Sequence, residues 1–122
     1  MSRITADLKF PRRSEADVMS SVKDLLKRLG IWHLRCNVGA ATDRRGQTVR
    51  FGTPGCADFM VALNGGSGCA RILWLELKAP GKHQSPDQKF FQRVVENEGM
   101  SYFVATSAAD VVDWLRANGF MP

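Results

Sequence analysis

No run of apolar residues in this chain approaches the roughly 20 needed to cross a bilayer, so the sequence holds no candidate spanning helix. The stretch from Met1 to Arg13 has no apolar core of the export-signal kind. It carries Arg3, Lys9, Arg12 and Arg13 instead, and reads as a basic arm over residues 1–13 ahead of a single domain over residues 14–122. Cysteine is scarce: Cys36, Cys56 and Cys69 are an odd number with no C-x-x-C pair. That argues against a disulfide framework and a four-thiolate zinc centre, and fits reduced thiols in a cytoplasmic setting. Internal repeats and low-complexity tracts are missing as well.

What remains is an ordinary globular composition, 44% hydrophobic and 24% charged over 122 residues, enough for one core. The balance is basic, with a net charge of +5 and a pI near 9.5, which suits a polyanionic partner whose binding weakens with salt.

Ser14, followed by Glu15 and Asp17, opens a helix whose apolar positions are Val18, Val22, Leu25, Leu26 and Leu29, and Gly30 ends it. A strand follows through Ile31 to Arg35, and the polar stretch from Gly39 to Gly55 reads as an exposed loop or hairpin holding Arg44, Arg45 and Arg50. Ala57 to Leu63 and Arg71 to Lys78 are the arms of a hairpin turned by Asn64 to Gly68. Ser85 caps a helix with Pro86 at its first position and a buried stripe of Phe90, Phe91, Val94 and Val95. A strand from Tyr102 to Ala105 and a helix capped by Ser107, carrying Val111, Val112, Trp114 and Leu115, complete the chain. The order α-β-β-β-α-β-α predicts an α/β fold, a mixed sheet flanked by helices.

The unusual feature is where the acids fall. Side chains alternate along a strand, so Trp74, Glu76 and Lys78 share one face while Leu73, Leu75 and Leu77 line the other. Asp58 lies on the opposite arm between Ala57 and Phe59, where pairing brings it beside Glu76. Two close carboxylates repel, and more strongly as the site dries. A divalent cation relieves that repulsion, and hard oxygen ligands suit Mg²⁺ or Mn²⁺. Such an ion polarises a phosphoryl oxygen and acidifies a bound water, while Lys78 is a compact charge able to position that water. The trio therefore points to phosphodiester hydrolysis; a solvated face with a cross-strand ion pair is the plainer alternative.

Among the other polar residues, Arg44, Arg45, Arg50 and His83 read either as phosphate contacts or as solvated loop positions, and His33 reads as structural. Glu15 suits the positive end of its helix, and Gln88 completes a capping box with Ser85. Trp32, Trp74 and Trp114 read as core residues, Trp74 being on the face of the acids.

Four ordered elements, Glu15, Gly52-x-Pro-Gly-x-x-Asp58-Phe59, Trp74-x-Glu76-x-Lys78 and Gly81-x-x-x-Ser85-Pro86-x-Gln88, resemble the virus-type replication-repair nuclease (VRR-NUC) domain of the PD-(D/E)XK nuclease superfamily. The likeness runs from about Ser14 to Ser107. It implies a restriction-endonuclease-like fold, with Asp58, Glu76 and the Leu77 carbonyl as metal ligands and Lys78 as a catalytic residue. It also brings Glu15 to the metal, directly or through water, and has Gln88 orient a site residue or touch the DNA backbone. Asn37, Arg50 and Ser85 join the substrate-contacting set. Stand-alone members are similar to Holliday-junction resolvases, which implies a homodimeric, Mg²⁺- or Mn²⁺-dependent endonuclease for branched DNA (four-way junction or flap), in a phage or bacterial setting. A non-cutting module that binds branched DNA and a restriction-type enzyme for linear duplex are the alternatives. The family's usual proline before the aspartate is Ala57 here, and His83 and Gln84 replace the residues usual before the serine.

Overall fold

A computed structural model describes residues 13–36, 39–66 and 68–122, with the backbone alone at Phe51. The proposed basic arm, apart from Arg13, and Asn37 therefore lie outside the described residues. Among those described, three helices and six strands follow one another: α1 (Glu15–Arg28), β1 (His33–Arg35), β2 (Gly39–Thr42), β3 (Thr48–Phe51), β4 (Phe59–Asn64), β5 (Ala70–Leu77), α2 (Pro86–Asn97), β6 (Ser101–Ala105) and α3 (Ala108–Ala117). None of the helices is long and apolar enough to cross a membrane.

The helix starts are set by local chemistry. Ser14, Ser85 and Ser107 each take up extended backbone and accept a hydrogen bond from the amide of the residue three positions on, satisfying a donor the first turn leaves free. Ser14 with Asp17, and Ser85 with Gln88, close reciprocal capping boxes.

The main sheet has the order β1-β4-β5-β6; β1, β4 and β5 pair antiparallel, and β6 lies parallel to β5. Joining two parallel neighbours requires a crossover, and α2 is that crossover. Its consequence is functional, because the end of β5 and the start of α2 are held at the same edge.

Alternation along β5 splits the core into two layers. Leu73, Leu75 and Leu77 pack with Phe59, Val61 and Leu63 against Val18, Val22 and Leu26 of α1 and Val111 and Leu115 of α3. On the other face Ala57, Val95 and Tyr102 form a smaller cluster with Trp74, Phe91, Met100 and Val104 under α2. The mixed α/β sheet flanked by helices is thus as expected.

The stretch from Gly39 to Gly55, open between loop and hairpin in the sequence, is a hairpin: β2 and β3 pair only with each other as a separate ribbon and add two strands to the expected order. Two expectations are corrected. Phe90 and Val94 do not join the buried stripe of α2 but stand 62% and 44% exposed; the helix turns Gln88, Phe91, Gln92 and Val95 inward instead. Trp32 is no core residue, at 57% exposure. The register puts Leu34, Met60, Trp74 and Tyr102 in one row, and α2 covers only its Trp74–Tyr102 end, leaving Leu34 and nearby Trp32 open.

Leu75→Ala, in the central strand with no exposed surface, is expected to cost about 2–5 kcal/mol, whereas Phe90→Ala should change stability by no more than about 0.5 kcal/mol. Urea unfolding of the two variants checks which face of α2 meets the core.

Candidate active site

The antiparallel hairpin brings the start of β4 against the end of β5. Phe59 pairs with Leu75, so one step further Asp58 stands opposite Glu76. Asp58 does more than face its neighbour: its Oδ2 accepts a 2.7 Å hydrogen bond from the Leu77 amide, which fixes the carboxylate across the strand end.

Among the described residues Glu76 is the one charged side chain that is buried, 3% exposed, on the α2 side of β5. Lys78 Nζ lies 3.7 Å from its Oε2, and Gln88 Nε2 donates to the same oxygen at 3.2 Å. Gln88 also accepts from the Ser85 amide through Oε1 (2.8 Å), and its own amide donates to Ser85 Oγ. The helix cap expected of Gln88 is present, and the same side chain bonds Glu76. The helix cap and the grip on Glu76 are one device.

Electrostatics mark the same residue. Burial first, then the Asp58 charge, push the Glu76 carboxyl from its ordinary 4.5 up to about 8; Lys78 pulls the other way and Glu15 adds to the rise. A buried acid beside a second acid is what a bound cation would relieve.

Asp58, Glu76, Lys78 and Gln88 open onto a cavity of about 510 Å³, also lined by Glu15, Ser85, Asp87 and Arg50. The site residues expected from the sequence that meet here are thus Glu15, Asp58, Glu76, Lys78, Ser85, Gln88 and Arg50. Arg44, Arg45 and His83 are exposed and do not line this cavity. His33 is structural as read, its Nδ1 2.8 Å from the Ile31 carbonyl and its ring edge-on to Phe59. Trp74 shares the Glu76 face yet is held in the core, edge-on to Phe91 and with Nε1 donating to Met100 Sδ.

Several contributors were not anticipated. Arg35, at the end of β1, donates through Nη1 to the carbonyls of Cys36 (2.7 Å) and Asp58 (3.2 Å) and lies 3.7 Å from Asp58 Oδ1. Cys36 and Cys56 line the cavity together; burial, then the neighbouring Cys36 and the two acids, push the Cys56 thiol up to about 11, so it stays protonated at neutral pH. Gln84 links the loop after β5 to Gln92 (3.0 Å) and to the Tyr102 hydroxyl (3.1 Å).

Gly55 explains the glycine ahead of Asp58. Its φ is +79°, and a Cβ there would overlap the Asp87 carbonyl, so the loop presses backbone against backbone onto the start of α2. Ala57 is fully buried two residues on, in the cluster with Val95 and Tyr102.

Among the described residues no three His, Cys, Asp or Glu side chains form a ready-made metal cluster. The donor set nevertheless fits a hard divalent ion: carboxylates on Asp58 and Glu76, with Glu15 lining the same cavity, and a Cys56 thiol held protonated. Comparison with protein-family models, with curated proteins and with solved structures finds no match to this chain.

Between 4.5 and about 8 the folded protein keeps a proton on Glu76 that the unfolded chain releases, so stability is fully present below that interval and falls as the pH rises through it. The metal-free protein should therefore show a Tm that declines from about pH 5 to about pH 8, and Glu76→Gln should flatten the decline. Equal slopes for the two proteins in a thermal-melt series would contradict the assignment.

Proposed function

We propose that this chain is a metal-dependent DNA endonuclease with a restriction-endonuclease-like fold, a stand-alone relative of the VRR-NUC domain. The observation that carries the proposal is the buried Glu76 set opposite Asp58, with Lys78 and Gln88 on one of its oxygens, at the floor of an open polar cavity. A merely solvated ion pair has no reason to bury an acid whose charged form is so disfavoured.

Asp58 and Glu76, with the Leu77 carbonyl, would hold Mg²⁺ or Mn²⁺. The ion supplies charge against the phosphoryl oxygens and a lowered pKa for water. The protein's own groups do the positioning. Gln88 holds Glu76 Oε2 from the helix cap, and the Leu77 amide fixes Asp58. Lys78, tethered beside Glu76, orients the attacking water and balances charge that grows on the scissile phosphate. Glu15 faces the same space from the first turn of α1, and Arg50 offers a phosphate contact at the rim.

Branched DNA is the proposed substrate and a homodimer the proposed form, following the resemblance to junction-cutting members. A panel of four-way junction, flap, splayed and linear DNA with Mg²⁺ or Mn²⁺ tests this. Cleavage of branched substrates is expected, reduced about 100-fold or more in Asp58→Asn and in Lys78→Ala while the Tm is kept. Undiminished cleavage by both purified variants would sink the proposal. Binding without product in Mn²⁺ would favour a non-cutting module, and a fixed cleavage sequence in linear duplex a restriction-type enzyme. Sedimentation equilibrium that finds only monomer at micromolar concentration would remove the paired-cut form.

A further inference from the structure

The β2–β3 ribbon is a two-stranded sheet with no core of its own. Residues from Ala40 to Arg50 are exposed, apart from a half-buried Asp43, and the ribbon stands apart from the main sheet. An isolated two-stranded ribbon gains little stability by itself. Its tip is nevertheless well built. Asp43 Oδ1 accepts from the amides of Arg45 and Gln47, both at 2.9 Å, the Gly46 amide donates to the Asp43 carbonyl, and Gly46 takes the positive φ the turn needs. The one acid of the ribbon is thereby spent on its own turn, and Arg44 and Arg45 are presented outward.

Register gives the ribbon two unlike faces. Ala40 pairs with Arg50 and Thr42 with Thr48, so these four share a face, while Ala41 and Val49 lie on the other. Ala40 and Arg50 line the active-site cavity, so the small, polar face runs outward from the site to the arginine tip. Arg45 stands in the turn at the far end of the ribbon and Arg50 in β3 at the cavity, so the two arginines mark its opposite ends.

We infer that the β2–β3 ribbon is a duplex-binding arm that lies in the major groove of B-form DNA beside the cut, with Arg44 and Arg45 on the phosphates at its far end. Charge and dimensions select this occupant. The major groove, about 12 Å wide, admits a two-stranded ribbon in undistorted duplex, whereas the minor groove, about 6 Å wide, takes one only when the duplex is bent or the groove widened. The deep, narrow major groove of A-form RNA is closed to it as well. Small residues on β2, Gly39, Ala40 and Ala41, keep the ribbon thin. The inference deepens the nuclease reading and rests on it for what occupies the cavity, but the contact itself is measured without cleavage.

The test is binding of the full chain to a labelled linear duplex in EDTA, followed by fluorescence anisotropy across a salt series. The doubly substituted Arg44→Ala, Arg45→Ala protein is expected to bind about tenfold or more weakly at about 0.1 M salt, with a salt slope smaller by about two and an unchanged Tm. Glucosylated 5-hydroxymethylcytosine, which fills the major groove, should weaken the wild-type chain, and netropsin, which fills the minor groove, should not. Equal affinity of the two proteins overturns the inference. So does an equal loss on double-stranded RNA, or a block by netropsin and none by the glucosylated duplex. A tip-dependent, major-groove signature from a chain that cuts nothing in Mn²⁺ would support the arm while removing the nuclease reading.

Discussion

The Glu76 carboxylate is the constraint around which the rest is arranged. It is held almost out of water at the end of β5, close to a second acid, in a place where its charged form is costly. The groups that lower the cost come from different parts of the chain, Lys78 from the strand end and Gln88 from the first turn of α2, while Asp58 across the sheet raises it. Removing Lys78 or Gln88 leaves the Glu76 carboxyl still harder to ionise. Such an arrangement stores instability at one point and fixes three elements relative to it, a common trade at functional sites.

The topology is what makes that convergence cheap. An antiparallel β4–β5 pair puts the beginning of one strand beside the end of the other, and a parallel β5–β6 pair demands a helix that returns over the sheet. Asp58, Glu76 and the cap of α2 thus meet at one edge without any long excursion of the chain. Core packing serves the same end, because the leucine face of β5 on α1 and α3 leaves the opposite face free for Trp74, Glu76 and Lys78.

Much of this was legible in residue patterns. Serine caps placed all three helix starts, and strict alternation from Leu73 to Lys78 divided the leucine face from the face of the acids. The turn around Asn64 gave the hairpin its register and so made Asp58 a neighbour of Glu76. Legibility failed where a contact overrode periodicity. The apolar spacing of α2 favours Phe90 and Val94 as core, yet the helix turns Gln88 to Glu76 and Phe91 and Val95 to the core, which leaves Phe90 and Val94 outward. Arg35 was passed over because a charged residue closing a short edge strand looks like any solvated arginine, and its partner Asp58 lies 23 positions away. The ribbon read as either loop or hairpin, since nothing in its pattern faces a core.

The contact between Gly55 and the Asp87 carbonyl bears on how this chain can vary. At Gly46 a substituted side chain would meet open space, so an asparagine content with positive φ is tolerable there at some strain. At Gly55 the obstacle is main chain, which no neighbouring rotamer can move aside. Drift in the ribbon can therefore proceed residue by residue, whereas the junction beneath it changes only if loop and helix are rebuilt together. Diversification of homologues should be fast at the periphery and frozen at a position that carries no chemistry at all.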